Sequence, residues 1–97
     1  MMSDLLERLQ SWYGCHCDGK WEHFYGVRID TLDNPGWKVV IDLPLPAYKE
    51  KSFSEVKVDR SETDWYFCEV KENAFCGAGG SMNLIDILKT FLDFVEE

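Results

Sequence analysis

The residues with the widest chemical repertoire lie early in the chain. Cys15-His16-Cys17 and His23 bring four soft ligands close together, and Cys68 and Cys76 add two thiols further on. Cys and His in such numbers are the ligands of zinc sites. The spacing argues against zinc: it is Cys-x-Cys rather than Cys-x2-Cys, and Cys68 and Cys76 are separated by seven residues. A thiol nucleophile needs a base, a group that orients the base, and oxyanion donors, and nothing in the sequence supplies the last two. Glu22-His23 could serve as an acid–base pair, but neighbours on a strand point to opposite faces. Gly77-Ala78-Gly79-Gly80 precedes a helical segment, where small residues can cradle a phosphate. It lacks the Lys-Ser/Thr of a P-loop and the order of a dinucleotide fingerprint, so a turn that needs small residues is expected. No catalytic residue, metal site or cofactor is assigned. A small zinc-binding protein using Cys15, Cys17, His23 and Cys68 is the alternative.

A second group is purely acidic. Asp30, Asp33, Asp59, Glu62 and Asp64 fall near expected strand ends and turns. Cation-binding loops alternate their oxygen ligands tightly, which these do not. They read as a solvated acidic rim and are the candidate partner-binding residues. The four tryptophans suit core packing, and one at such a rim would make a binding hot spot.

The whole-chain arithmetic narrows the partner. The 97 residues carry 10 Lys+Arg against 18 Asp+Glu, a net charge of -8. A direct nucleic-acid binder needs basic clusters, and there are none. An acidic surface repels nucleic acid, attracts cationic proteins and speeds association with them; it also keeps a protein soluble. With 45% apolar and 14% aromatic residues, a folded core is expected rather than a disordered tail. No apolar run approaches the roughly 18 residues of a membrane span. The first ten residues lack a basic start and a cleavage site, so no signal peptide is expected. A cytoplasmic protein with reduced thiols follows, and a chain of this length reads as one domain, 1–97.

These residues need elements to position them. Leu5, Leu6, Leu9, Trp12 and Tyr13 recur at helical spacing behind Ser3 as N-cap, with Gly14 as the stop. After a loop ending in Asp18-Gly19, the period becomes two. Trp21, His23, Tyr25, Val27 and Ile29 form one face of a strand, in which Gly26 marks a bulge or close packing. Asp33-Asn34-Pro35-Gly36 predicts a type II turn. Trp37, Val39, Ile41 and Leu43 then line one face of a second strand, closing an antiparallel hairpin. Pro44-Leu45-Pro46 ends that strand, and a polar, mobile loop is expected as far as Ser52. A third strand spans about Phe53 to Arg60, with Val56 and Val58 inward. A polar turn, 61–64, leads to a fourth, Trp65 to Lys71, whose apolar residues on both faces mark an interior strand. Glu72 to Gly80 is expected as a flexible or tightly turned stretch. The last helix carries Leu84, Leu88, Phe91, Leu92 and Val95 on one face, widened by Ile85, Ile87 and Phe94 and capped by Asn83 or Ser81. The sum is an α+β fold: an antiparallel sheet of four or five strands with an N-terminal and a C-terminal helix packed on it.

Several runs carry a family resemblance: Trp12-Tyr13; Cys17-Asp18-Gly19-Lys20-Trp21-Glu22-His23 with Gly26; and Thr31-Leu32-Asp33-Asn34-Pro35-Gly36-Trp37. It continues through Arg60-Ser61-Glu62, Asp64-Trp65-Tyr66-Phe67-Cys68, and Gly77-Ala78-Gly79-Gly80 followed by Asn83-Leu84. Together they resemble the immunity protein 53 family of bacterial polymorphic toxin systems over nearly the whole chain. The loop from Pro44 to Ser52 matches least well. The resemblance implies a small, non-catalytic cytoplasmic protein that binds and neutralises a cognate toxin domain. It carries over no catalytic residue. If that toxin is a basic nuclease, the acidic rim would occupy its phosphate-binding cleft.

Overall fold

The computed structural model describes residues 2–44, 48 and 51–96. The elements are α1 (Met2–His16), α2 (Trp21–Phe24), β1 (Val27–Leu32), β2 (Gly36–Asp42), β3 (Val56–Asp59), β4 (Trp65–Lys71), β5 (Ala74–Gly79) and α3 (Leu84–Glu96). The five strands make one antiparallel sheet in the order β1-β2-β5-β4-β3. This is the expected α+β arrangement, with the glycine-rich stretch as the fifth strand. Among the described residues no helix is long and apolar enough to cross a membrane. Residues 45–47 and 49–50, within the expected mobile loop, lie outside the described residues.

Strand alternation divides the sheet cleanly. Val39 and Ile41 of β2, Phe75 and Gly77 of β5 and Cys68 of β4 are in register on one face and buried beneath α3. Phe91 of α3 lies edge-on between Phe75 (5.2 Å between ring centroids) and Trp12 of α1 (4.8 Å). Such edge-to-face pairs suit the ring quadrupole, and they join sheet, α3 and α1 in one aromatic core. The glycines of β5 explain why α3 fits so closely. A Cβ on Gly77 would run into Ile87 Cγ2, and one on Gly79 would sit 3.1 Å from Ile87 Cδ1. The Gly-Ala-Gly run is therefore a strand at the centre of the sheet, and its small residues make room for a helix. Its start is a two-residue hairpin with Glu72 (φ 53°) and Asn73 (φ 64°) both left-handed, the pairing that a tight hairpin requires.

Other expectations also change. Trp21–Phe24 is a single helical turn, and the strand begins at Val27, six residues after its expected start. Side-chain hydrogen bonds close that turn: Asp18 Oδ1 accepts from the N–H of Lys20 (2.9 Å) and Trp21 (3.0 Å), while the Glu22 carboxylate accepts from Asp18 (2.9 Å) and Gly19 (2.7 Å). Local bonds of this kind compete with a sheet ladder and here defeat a short period-two pattern. α1 begins ahead of Ser3 and runs past Gly14 to His16. A Cβ on Gly26 would meet open space, so close packing is not its reason. The β1–β2 turn occupies 33–35 with a cis Asn34–Pro35 bond, and Gly36 is already in β2 without a positive φ. It is not the type II turn expected. Gly36 is required because a Cβ there would collide with the carbonyl oxygen of Gly79.

Candidate binding surface

The ladders bring three distant segments to one end of the sheet. Leu32 pairs with Gly36, Trp37 with Gly79, Gly79 with Tyr66, and Trp65 with Asp59. The β1–β2 turn, the end of β5 and the β3–β4 turn therefore share one edge with the start of α3. Asp33 occupies the β1 corner; Asp59, Glu62 and Asp64 occupy the β3 corner. Asp30 is further back on β1, across from Lys38. Four strand spacings separate the corners, about 19 Å. That exceeds a screening length of about 8 Å at physiological salt, so the corners act as two separate points of negative charge there.

The five acidic residues do not share one role. Asp64 is a brace. Its carboxylate accepts from Arg60 Nε and Nη2 (both 2.9 Å) and from Asn83 Nδ2 (3.0 Å), and its backbone carbonyl accepts the N–H of Arg60 and Ser61. The Arg60 hydrogen bonds, then Asn83, hold its pKa down to about 2. Asn83 does stand in the cap position of α3, but its side chain does different work. Its Oδ1 accepts the Trp65 N–H (3.3 Å), and Nδ2 also donates to Asp86 (2.9 Å). At 2% exposure, this amide ties β4, the β3–β4 turn and α3 together. Among the described residues, Asp30, Asp33, Asp59 and Glu62 take part in no ion pair or side-chain hydrogen bond, and all four are exposed. Three free carboxylates, Asp33, Asp59 and Glu62, thus remain at this end.

The sequence leaves open which tryptophan stands at the acidic rim; it is Trp65, with Phe67 beside it. The face of the sheet away from the helices carries Trp65, Phe67, Ala78, Cys76 and Val40, all half-buried. Trp65 and Phe67 line a concavity of 660 Å³ with Glu55, Lys57, Asp59 and Glu62 on its walls. The Arg60 guanidinium lies 6.0 Å from the Tyr66 ring on the opposite face. The other tryptophans are engaged elsewhere: Trp12 donates to Tyr48 Oη (3.0 Å), Trp37 donates to the Ser81 carbonyl (2.9 Å), and Trp21 meets Trp12 edge to face (6.0 Å between ring centroids).

The thiols and histidines stay apart. Cys68 is buried in the core, where desolvation pushes its pKa up to about 12 and keeps it a thiol. Cys15 near the end of α1 and Cys17 just beyond it are exposed, and Cys17 donates to the Tyr13 carbonyl (3.3 Å). His16 lies against Trp12 (4.9 Å), and His23 is exposed on α2. Glu22 is spent on the α1–α2 loop. Among the described residues, no three His, Cys, Asp or Glu side chains are placed to share a metal ion.

The model of immunity protein 53 matches residues 6–96. The chain belongs to the immunity protein 53 family. No curated protein and no solved structure matches it. Family membership makes it an immunity protein, a class that binds a cognate toxin and is generally non-catalytic. The runs that carried the resemblance now have physical roles. Asp18 to Glu22 is the self-bonded α1–α2 loop, Thr31 to Trp37 is the corner holding Asp33, and Asp64 to Cys68 is the braced start of β4 and the aromatic floor.

Proposed function

We propose that this immunity protein neutralises its toxin in the cytoplasm by setting the acidic end of its sheet against a basic surface of the toxin. A nuclease cleft built to hold phosphates is such a surface. In this reading Asp59, Glu62 and Asp33 pair with toxin Lys and Arg side chains. Trp65 and Phe67 provide the apolar anchor that excludes water around those pairs. Asp64 keeps its place in the brace and presents the others; Asp30 stands outside the contact. One observation carries the proposal: three unpaired carboxylates share one end of the sheet, and two of them line the concavity floored by the aromatics. The protein acts by occupancy, without turnover. Four free thiols, two of them exposed, suit a reducing compartment.

The test is co-expression. The C-terminal domain of the large secreted protein expected from the neighbouring upstream gene is toxic when expressed alone, and growth returns with the wild-type immunity protein. Trp65→Ala in the same assay weakens protection while the protein stays folded. Full protection by a folded W65A protein, with unchanged toxin affinity, overturns the proposed face.

A further inference from the structure

The opposite flank of the sheet has a different chemistry. β1 is an edge strand. Gly26 O accepts from Asp42 N (3.1 Å), so the ladder's alternation directs the backbone groups of Gly26, Arg28, Asp30 and Leu32 toward β2. The N–H and C=O of Val27, Ile29 and Thr31 then point outward. Among the described residues, none takes them. Beside this edge is a concavity of 800 Å³ between α1 and β1, lined by Leu6, Tyr13, Phe24 and Tyr25. Phe24 is 81% exposed and Leu6 58%. Of the seven large apolar side chains exposed among the described residues, these four and Ile29 gather here. Natural edge strands are normally blunted or covered.

We infer that this edge pairs with the same edge of a second copy, joining two five-stranded sheets across a two-fold axis through Ile29. The strand's own charges select both the occupant and the register. In an antiparallel self-pair the outward residues must face one another, and three registers pair at least two of them. An axis at residue 28 sets Arg28 against Arg28 of the second copy, and an axis at residue 30 sets Asp30 against Asp30. An axis at residue 29 sets Arg28 against Asp30 twice. Those pairs fall at the non-hydrogen-bonded positions, where side chains approach most closely. In the same register Ile29 meets Ile29 on the apolar side, and Val27 meets Thr31, with all outward backbone groups satisfied. A two-fold interface has to be self-complementary, and this strand is. Arg28 already reaches Asp42 (3.1 Å), and its fork has donors left for a second carboxylate. The chain's -8 charge does not oppose the contact locally, because the strand carries one Arg and one Asp. The other edge, β3, has only four residues and presents fewer outward groups.

This pairing needs no toxin, so it stands or falls separately from the binding reading. Sedimentation equilibrium across a dilution series is expected to show a species of twice the 11.3 kDa chain mass. Arg28→Asp alone sets Asp against Asp, and Asp30→Arg alone sets Arg against Arg, so each variant is expected to be a monomer. An equimolar mixture of the two sets opposite charges together at both positions, and the double mass is expected to return. Circular dichroism and thermal unfolding verify that each variant is folded. A wild type that is monomeric at every concentration overturns the inference. So does a folded single variant that stays dimeric, or a mixture of folded variants that stays monomeric.

Discussion

The two flanks of the sheet share one core and present opposite chemistry. At the β3 corner, unpaired carboxylates surround an aromatic floor and rest on a hydrogen-bonded brace. At the β1 edge, apolar side chains surround a strand whose own charges balance. A net charge of -8 describes neither flank. The first suits a cationic partner, and the second suits a copy of itself. What distinguishes them is which polar groups are already committed. Asp64 and Asn83 are spent internally, and that leaves Asp59 and Glu62 free; Arg28 and Asp30 are offset along a strand, and that leaves them complementary to each other's copies.

The largest effect comes from removing the support common to both. Phe91 is fully buried between Trp12 and Phe75. Phe91→Ala is expected to cost about 3–5 kcal/mol, a large part of a stability of about 5–15 kcal/mol. Denaturant unfolding should show the loss, and toxin protection and self-association should fail together. If only one fails, the flanks do not rest on a common core.

Reversing charge separates them. Asp33→Lys, Asp59→Lys and Glu62→Lys combined are expected to slow association with the toxin about tenfold or more at low salt, within the range of electrostatic steering. Stopped-flow rates should fall less at physiological salt, where the attraction between the carboxylates and the toxin is screened. Self-association through β1 should not weaken. A triple variant that binds as fast as the wild type at low salt removes the acidic end from the mechanism.

Much of this contrast is visible in the sequence, and the parts that are not share a cause. Alternation over Trp37 to Leu43 and over Val56 to Asp59 places residues correctly because each strand turns one face toward the core and the other toward solvent. The heptad-like run in α3 is legible for the same reason. The Gly77 to Gly79 strand is not legible, because its signal is the absence of side chains, and the reason for that absence is Ile87, which approaches from another element. Trp21 to Phe24 misleads because four residues of alternation weigh less than four local hydrogen bonds from Asp18 and Glu22. The acidic rim is legible as a set, since turn and strand-end positions are local. The division of labour within it is not. That Asp64 is spent and Glu62 is free depends on Arg60 and on Asn83, and Asn83 is nineteen residues away from Asp64. The adjacent aromatics Phe24-Tyr25, ahead of the Arg28-Ile29-Asp30 alternation, were the available signal for the β1 flank.

A narrower change sharpens the role of the brace. Asn83→Ala removes the acceptor of the Trp65 N–H and one donor each from Asp64 and Asp86 in a half-buried setting. The expected cost is about 1–3 kcal/mol, measurable as a lower denaturant midpoint. Toxin affinity should fall as the β3 corner loosens, while the dimer mass should persist, because β1 lies four strand spacings away.

The smallest effect is a matter of pH. The folded-state pKa of Asp64 is about 2, below the value of about 4 for an unfolded Asp. The folded protein therefore binds that proton less readily than the unfolded chain. The stabilisation from the brace is fully present above the unfolded pKa and drains away as pH falls from about 4 toward 2. Asp18 and Glu22, on the other flank, are also held low by their backbone hydrogen bonds, so the acid limb is a sum over both flanks. Asp64→Asn should remove only its share and flatten the stability curve in that range. Because Asn keeps an acceptor for Arg60, stability near neutral pH should fall less than with Asn83→Ala. An acid limb of unchanged steepness in Asp64→Asn would mean that the brace does not hold the carboxylate in its charged form, and Asp64 would then rejoin Asp59 and Glu62 as a free acid at the binding end.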